Sequence, residues 1–158
     1  MLPLDLPLTP PLAVPLAADQ RLSRAEYPND IVWELSAAGQ PPALSLHTTF
    51  GLRTHWMRLF PRFVTPAAAV QDPQSFASPP RLTFLSPAFV RLAFTPLPSV
   101  ETVLEIRVPS SQVLAGRFTF KNPSVLPQRF TLEWCHLLSP LPGGQSMAFL
   151  PLQLSPVL

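Results

Sequence analysis

The residues best equipped for chemistry sit in one run, Arg53-Thr-His-Trp-Met-Arg-Leu-Phe-Pro-Arg-Phe63, where three arginines interleave with three aromatic side chains and no acid intervenes. Guanidinium groups beside exposed rings make surfaces on which sugar rings or bases stack. Arg53, Trp56, Arg58 and Arg62 are therefore the substrate-contacting candidates. A strand with a buried aromatic face, whose arginines pair with acidic neighbours, gives the same string. Trp33, Trp56 and Trp134 likewise read first as core anchors.

Other constellations are incomplete. Glycoside hydrolysis uses two carboxyl groups about 5–5.5 Å or 6.5–9.5 Å apart. Asp30 and Glu34, like Glu101 and Glu105, lie four residues apart in extended runs, hence roughly 13 Å apart. Only a pair from different strands, such as Glu34 with Glu133, leaves that spacing open. His47, His55 and His136 have no metal-ligand spacing among them, and Glu133 and His136, three apart on a strand, point to opposite faces. Cys135 diverges from His136 for the same reason. No phosphate-cradling or nucleophile-elbow string is present. The expectation is a chain without catalytic residues, metal or cofactor, and not itself an enzyme.

The elements that must position these groups are strands. The chain holds 23 Pro and only 5 Gly among 158 residues, and such a proline load excludes a helix bundle, because each interior Pro removes a hydrogen bond and clashes with the preceding turn. A 47% apolar content equally opposes a disordered proline-rich linker. Residues 1–26 alternate Leu with Pro and read as an extended leader, or a strand laid along another surface; residues 27–158 read as one sandwich domain.

Period-two alternation recurs along that domain. Ile31, Trp33 and Leu35 share one face, as do Leu44, Leu46, Thr48 and Phe50, and Thr102, Leu104, Ile106 and Val108 share a buried one, with Glu101, Val103, Glu105 and Arg107 opposite. Arg81–Leu85 and Phe89–Phe94 read as two further strands. The spacing then predicts a hairpin in which Phe118 and Phe120 lie beside Phe130, Leu132 and Trp134, all five buried, with Arg117 and Lys121 facing Arg129 and Glu133 across the pair. Seven to nine short strands point to an all-β, antiparallel β-sandwich.

Eleven basic residues against nine acidic ones leave a formal charge of +2, too little for a nucleic-acid binder working through a bulk field. No apolar run is long enough for a membrane span, and the N-terminus carries Asp5 and no cationic stretch, unlike an export signal. One cysteine, Cys135, fits a reducing compartment. These features predict a cytoplasmic protein without nucleic-acid or membrane partners. The uncharged, apolar end, Phe149–Leu158, reads as a sandwich whose remaining strands or partner domain are missing.

Tyr27-Pro-Asn-Asp30, Trp33-Glu-Leu-Ser36, Pro41-Pro-Ala-Leu44, Thr48-Thr-Phe-Gly-Leu-Arg53 and Met57-Arg-Leu-Phe-Pro-Arg-Phe63, with Val108-Pro-Ser-Ser-Gln-Val-Leu-Ala-Gly-Arg117 and Leu138-Ser-Pro-Leu-Pro-Gly-Gly-Gln-Ser-Met147, make the chain resemble the N-terminal β-sandwich domain of bacterial glycogen-debranching-type and glucoamylase-like glycoside hydrolases. The resemblance implies a supersandwich that precedes a catalytic (α/α)6 barrel carrying the acid and base. The chain has no such barrel. The expectation is thus a non-catalytic fragment whose partners are a carbohydrate and a downstream barrel, with Arg53–Arg62 bordering the sugar site. A free-standing glycan-binding module is the alternative.

Overall fold

The computed structural model describes residues 4–8, 13–16, 33–36, 44–50, 55–110, 113–140 and 150–152. Along these run twelve strands: β1 (Leu6–Pro7), β2 (Ala13–Leu16), β3 (Trp33–Ser36), β4 (Ser45–Phe50), β5 (His55–Val64), β6 (Ala69–Val70), β7 (Ser78–Ser86), β8 (Phe89–Leu97), β9 (Val100–Ser110), β10 (Val113–Lys121), β11 (Thr131–Pro140) and β12 (Leu150–Leu152). One 3-10 turn, Pro73–Ser75, precedes β7 and is capped by the Asp72 carboxylate, which accepts a hydrogen bond from the Gln74 amide. No helix of the described residues is long and apolar enough to cross a membrane.

Every strand pairing is antiparallel. A five-stranded sheet has the order β1-β7-β8-β9-β10, and a larger sheet the order β12-β11-β5-β4-β3-β2, with β6 paired to β5. The two pack face to face as the sandwich that the alternation predicts. Leu82, Val90, Leu92, Phe94, Leu104, Ile106 and Val108 from the smaller sheet meet Leu16, Trp33, Leu35, Leu46 and Phe63 from the larger one. Described residues of the opening Leu/Pro stretch belong to this body: β1 pairs with Arg81 and Leu82 of β7, β2 pairs with β3, and Leu8, Val14 and Leu16 are buried.

Several prolines of the described strands fall where a ladder can spare a donor. Pro7, Pro15 and Pro151 lie in the edge strands β1, β2 and β12. Pro96 sits in the register irregularity between Phe94 and Leu97. Pro61 is in an inner strand, yet β4 is registered with β5 only as far as Leu59 and β6 joins only at Phe63. Pro61 occupies the gap between them.

The predicted hairpin is corrected. β10 pairs with β9, while β11 pairs with β5 in the other sheet, so residues 122–130 cross between layers. Lys121 faces Glu101 at 3.5 Å and Glu133 faces Arg62 at 2.9 Å. The aromatic side chains of the two strands do meet, but across the interior: Phe118 lies 5.7 Å from Trp134 and Phe120 5.1 Å from Phe130, ring centre to ring centre. Alternation gives the face a residue occupies and is silent on whether its neighbour lies beside it or opposite it. Nor are the five buried: Phe118, Phe130, Leu132 and Trp134 are half-buried and Phe120 is 39% exposed. The reason is that β10 ends its sheet while β11 does not.

Candidate ligand-binding face

The densest chemistry lies on the outer face of the five-stranded sheet, in two transverse rows fixed by strand register. In the first row Phe84 of β7 stands opposite Arg91 of β8, Arg91 opposite Glu105 of β9, and Glu105 opposite Arg117 of β10. The second row, two residues along each strand, is Ser86, Phe89, Arg107 and Ala115. Side chains two apart share a face, and strands lie about 4.8 Å apart. Residues scattered over 34 positions of sequence thereby line one concavity of about 730 Å³.

Glu105 is its hub. Arg91 donates from Nε to one carboxylate oxygen at 2.9 Å, and Arg117 donates from Nε to the other at 2.8 Å, each adding a second contact through a terminal nitrogen. These bonds, Arg91's first and Arg117's second, hold the Glu105 carboxyl below its ordinary range. Glu105 is mostly covered, at 13% side-chain exposure, whereas Arg91 and Arg117 keep 45% and 74%. Arg107 makes no ion pair among the described residues; its guanidinium lies 5.3 Å from the Phe89 ring centre, with that of Arg91 at 5.8 Å. Phe84 braces Phe89 edge to face at 5.4 Å.

Three guanidinium groups against one carboxylate leave this face two positive charges in surplus, equal to the formal excess of the whole chain. Ring contacts hold the arginines without neutralising them. Planar forks with unspent donors suit carboxylate, sulfate or phosphate oxygens. Such a face is suited to anions, and the residues that line it include one carboxylate, Glu105.

Of the four residues singled out by sequence, Trp56, Arg58 and Arg62 lie in the other sheet. Arg53 is outside the described residues. Trp56 belongs to β5, in register with Thr49 and Ser139, and its side chain is not among those described. Arg58 and Arg62 share the outer face of β5 on either side of Phe60. Arg62 pairs with Glu133. Arg58 is 6% exposed, and burial draws its pKa downward; its terminal nitrogen lies 3.5 Å from the Ser45 hydroxyl. Beside it His47, hydrogen-bonded to that hydroxyl, is pushed down to about 4 by burial and then by the Arg58 charge. Cys135, registered with Phe60, is buried, and burial raises its thiol pKa against the opposing pull of Arg62.

Glu34 and Glu133 are three strands apart and four residues out of register, which separates them by about 14 Å across the sheet and 13 Å along it. Glycosidase spacing is out of their reach. Among the described residues no three His, Cys, Asp or Glu side chains gather as a metal site. No family model, curated protein or solved structure matches the chain.

Proposed function

We propose that this chain is a non-catalytic β-sandwich module that holds an acidic carbohydrate on the outer face of its five-stranded sheet. The observation that supports it is the Arg91–Arg107–Arg117 cluster around Glu105, with one cation lacking an anionic partner among the described residues and Phe84 and Phe89 beneath it. The carbohydrate class, and a setting as the accessory domain of an enzyme with a separate catalytic barrel, come from the resemblance over about residues 20–147. The positive surplus adds that the sugar carries negative groups, since a neutral glucan would leave these cations unanswered.

Titration with oligogalacturonate, with a neutral maltooligosaccharide as control, tests this. The acidic ligand should bind, weaken as salt rises, and lose about tenfold in affinity in Arg107→Ala. Glu105→Gln removes the competing carboxylate and should tighten binding by roughly threefold or more. Equal binding of the neutral sugar, indifferent to Arg107→Ala, would overturn the reading. Reducing-sugar release from either ligand, lost on mutating a glutamate, would overturn its non-catalytic part.

A further inference from the structure

The same sheet ends on an open strand. Among the described residues β10 is bonded to β9 along one edge and to nothing along the other, over nine residues. In the facing layer the larger sheet continues past it, through β11 to β12. Among the described residues the smaller sheet is thus one strand short at this end. Phe118, Phe130, Leu132 and Trp134 are left half-buried and Phe120 exposed, lining the step between the layers. Val125 and Leu126, at 99% and 67% exposure, extend the apolar surface along the crossover.

Natural sheets usually blunt such edges with short strands, inward charges or covering loops. β10 shows a different combination. Its inward positions carry rings, and its outward positions carry Arg117, Thr119 and Lys121, with Arg117 and Lys121 about three-quarters exposed. Their partners, Glu105 and Glu101, lie on the β9 side, which leaves the open side cationic.

We propose that β10 is a strand-addition site, taking an extended segment of a partner polypeptide in which apolar and acidic residues alternate. The backbone ladder of Val113–Lys121 would supply affinity, the step over Phe118, Phe120 and Trp134 would take the apolar side chains, and Arg117 and Lys121 would select the acidic ones. A second copy of this chain is the poorer occupant. β10 contains no acid, so pairing it with itself sets two cationic strands side by side. The inference shares Arg117 with the sugar reading but rests on the open edge of β10, which that reading does not use.

The test uses the full chain and a synthetic peptide of β10's length alternating Glu with Val and Leu. Controls are the same peptide with Lys for Glu, and with Pro at adjacent positions, so that amides facing β10 are removed in either register. The acidic peptide should bind and slow amide exchange within 113–121. The basic one should bind at least about tenfold more weakly, and the proline one should fail because it cannot complete a ladder. Lys121→Glu should shift preference toward the basic peptide, and Arg107→Ala should leave peptide binding unchanged. Binding without protection of 113–121, failure of the acidic peptide to bind, or protection that grows with protein concentration alone would overturn the proposal, the last by assigning the edge to a second copy.

Discussion

The outer faces of the two sheets carry the same kinds of residue and do opposite things with them. On the larger sheet Arg58 and Arg62 flank Phe60, and Arg58 is 6% exposed with its neighbour His47 held uncharged by burial. On the smaller sheet Arg91, Arg107 and Arg117 surround Glu105 and two phenylalanines, and all three remain exposed. An arginine in the first setting is a packing element whose charge is costly. In the second it is a donor held in place and still open to a ligand. Residue type does not separate the two; burial does.

The largest effect that separates them is on stability. Arg58→Ala should destabilise the fold by roughly 3–4 kcal/mol, through lost stem packing and stranded buried partners. Arg107→Ala should change it by less than about 0.5 kcal/mol, as exposed substitutions do, while weakening binding of the acidic sugar. Chemical denaturation of the two variants measures both. Equal, small losses would break the comparison by showing that the Arg58 face is open in solution.

Sequence reached the fold and did not single out the candidate face, for identifiable reasons. Alternation correctly put Thr102, Leu104, Ile106 and Val108 inward and Glu105 and Arg107 outward, and it correctly read β7 and β8 around Ser86 and Pro87. The concavity depends on register, which is hidden. Leu97 pairs with Val100 around Pro98 and Ser99, and counting back without interruption from that turn sets Arg91 opposite Ile106, an inward residue. The irregularity between Phe94 and Leu97 shifts the ladder by one and delivers Arg91 to Glu105. A second irregularity, between Val113 and Ala115, does the same for Arg117. A rule that inward residues must oppose inward ones would have exposed both shifts. Contiguity draws the eye to the Arg-rich run in β5, whereas a sheet assembles its neighbours across strands.

Acid should sharpen the contrast by about 2–3 kcal/mol, the His47 shift discounted for the solvent that still reaches its half-buried ring. His47 titrates near 4 in the fold against 6.5 when unfolded, so its folded pKa is depressed and the unfolded chain binds its proton first. Stability is therefore complete above pH 6.5 and drains as pH falls from there toward 4. Arg58 and Glu34 are its cross-strand neighbours on that face. Glu105 behaves otherwise: its lowered pKa gives stability present above 4.5 and lost only below it, as pH falls through the folded value. Denaturation midpoints for His47→Gln should lie flat between pH 6.5 and 4.5, where the parent chain declines. A decline of equal slope in the variant would assign the proton to another group.

The smallest effect concerns the turn between β8 and β9, next to the bulge that sets the candidate ligand face. Ser99 adopts φ 61°, the one positive φ at a residue other than glycine among those described, in the two-residue connection between β8 and β9. A side chain in this left-handed region crowds the following carbonyl, and glycine relieves that crowding at the cost of a more flexible unfolded chain. Ser99→Gly should raise stability by only about 0.5 kcal/mol, the difference of those two terms, without altering oligogalacturonate affinity, because the bulge between Phe94 and Leu97 still fixes Arg91 opposite Glu105. Ser99→Val places a branched side chain in the same region and should cost roughly 1–2 kcal/mol. If Ser99→Gly weakened ligand binding while stabilising the fold, the turn and not the bulge would be holding the two arginines on Glu105.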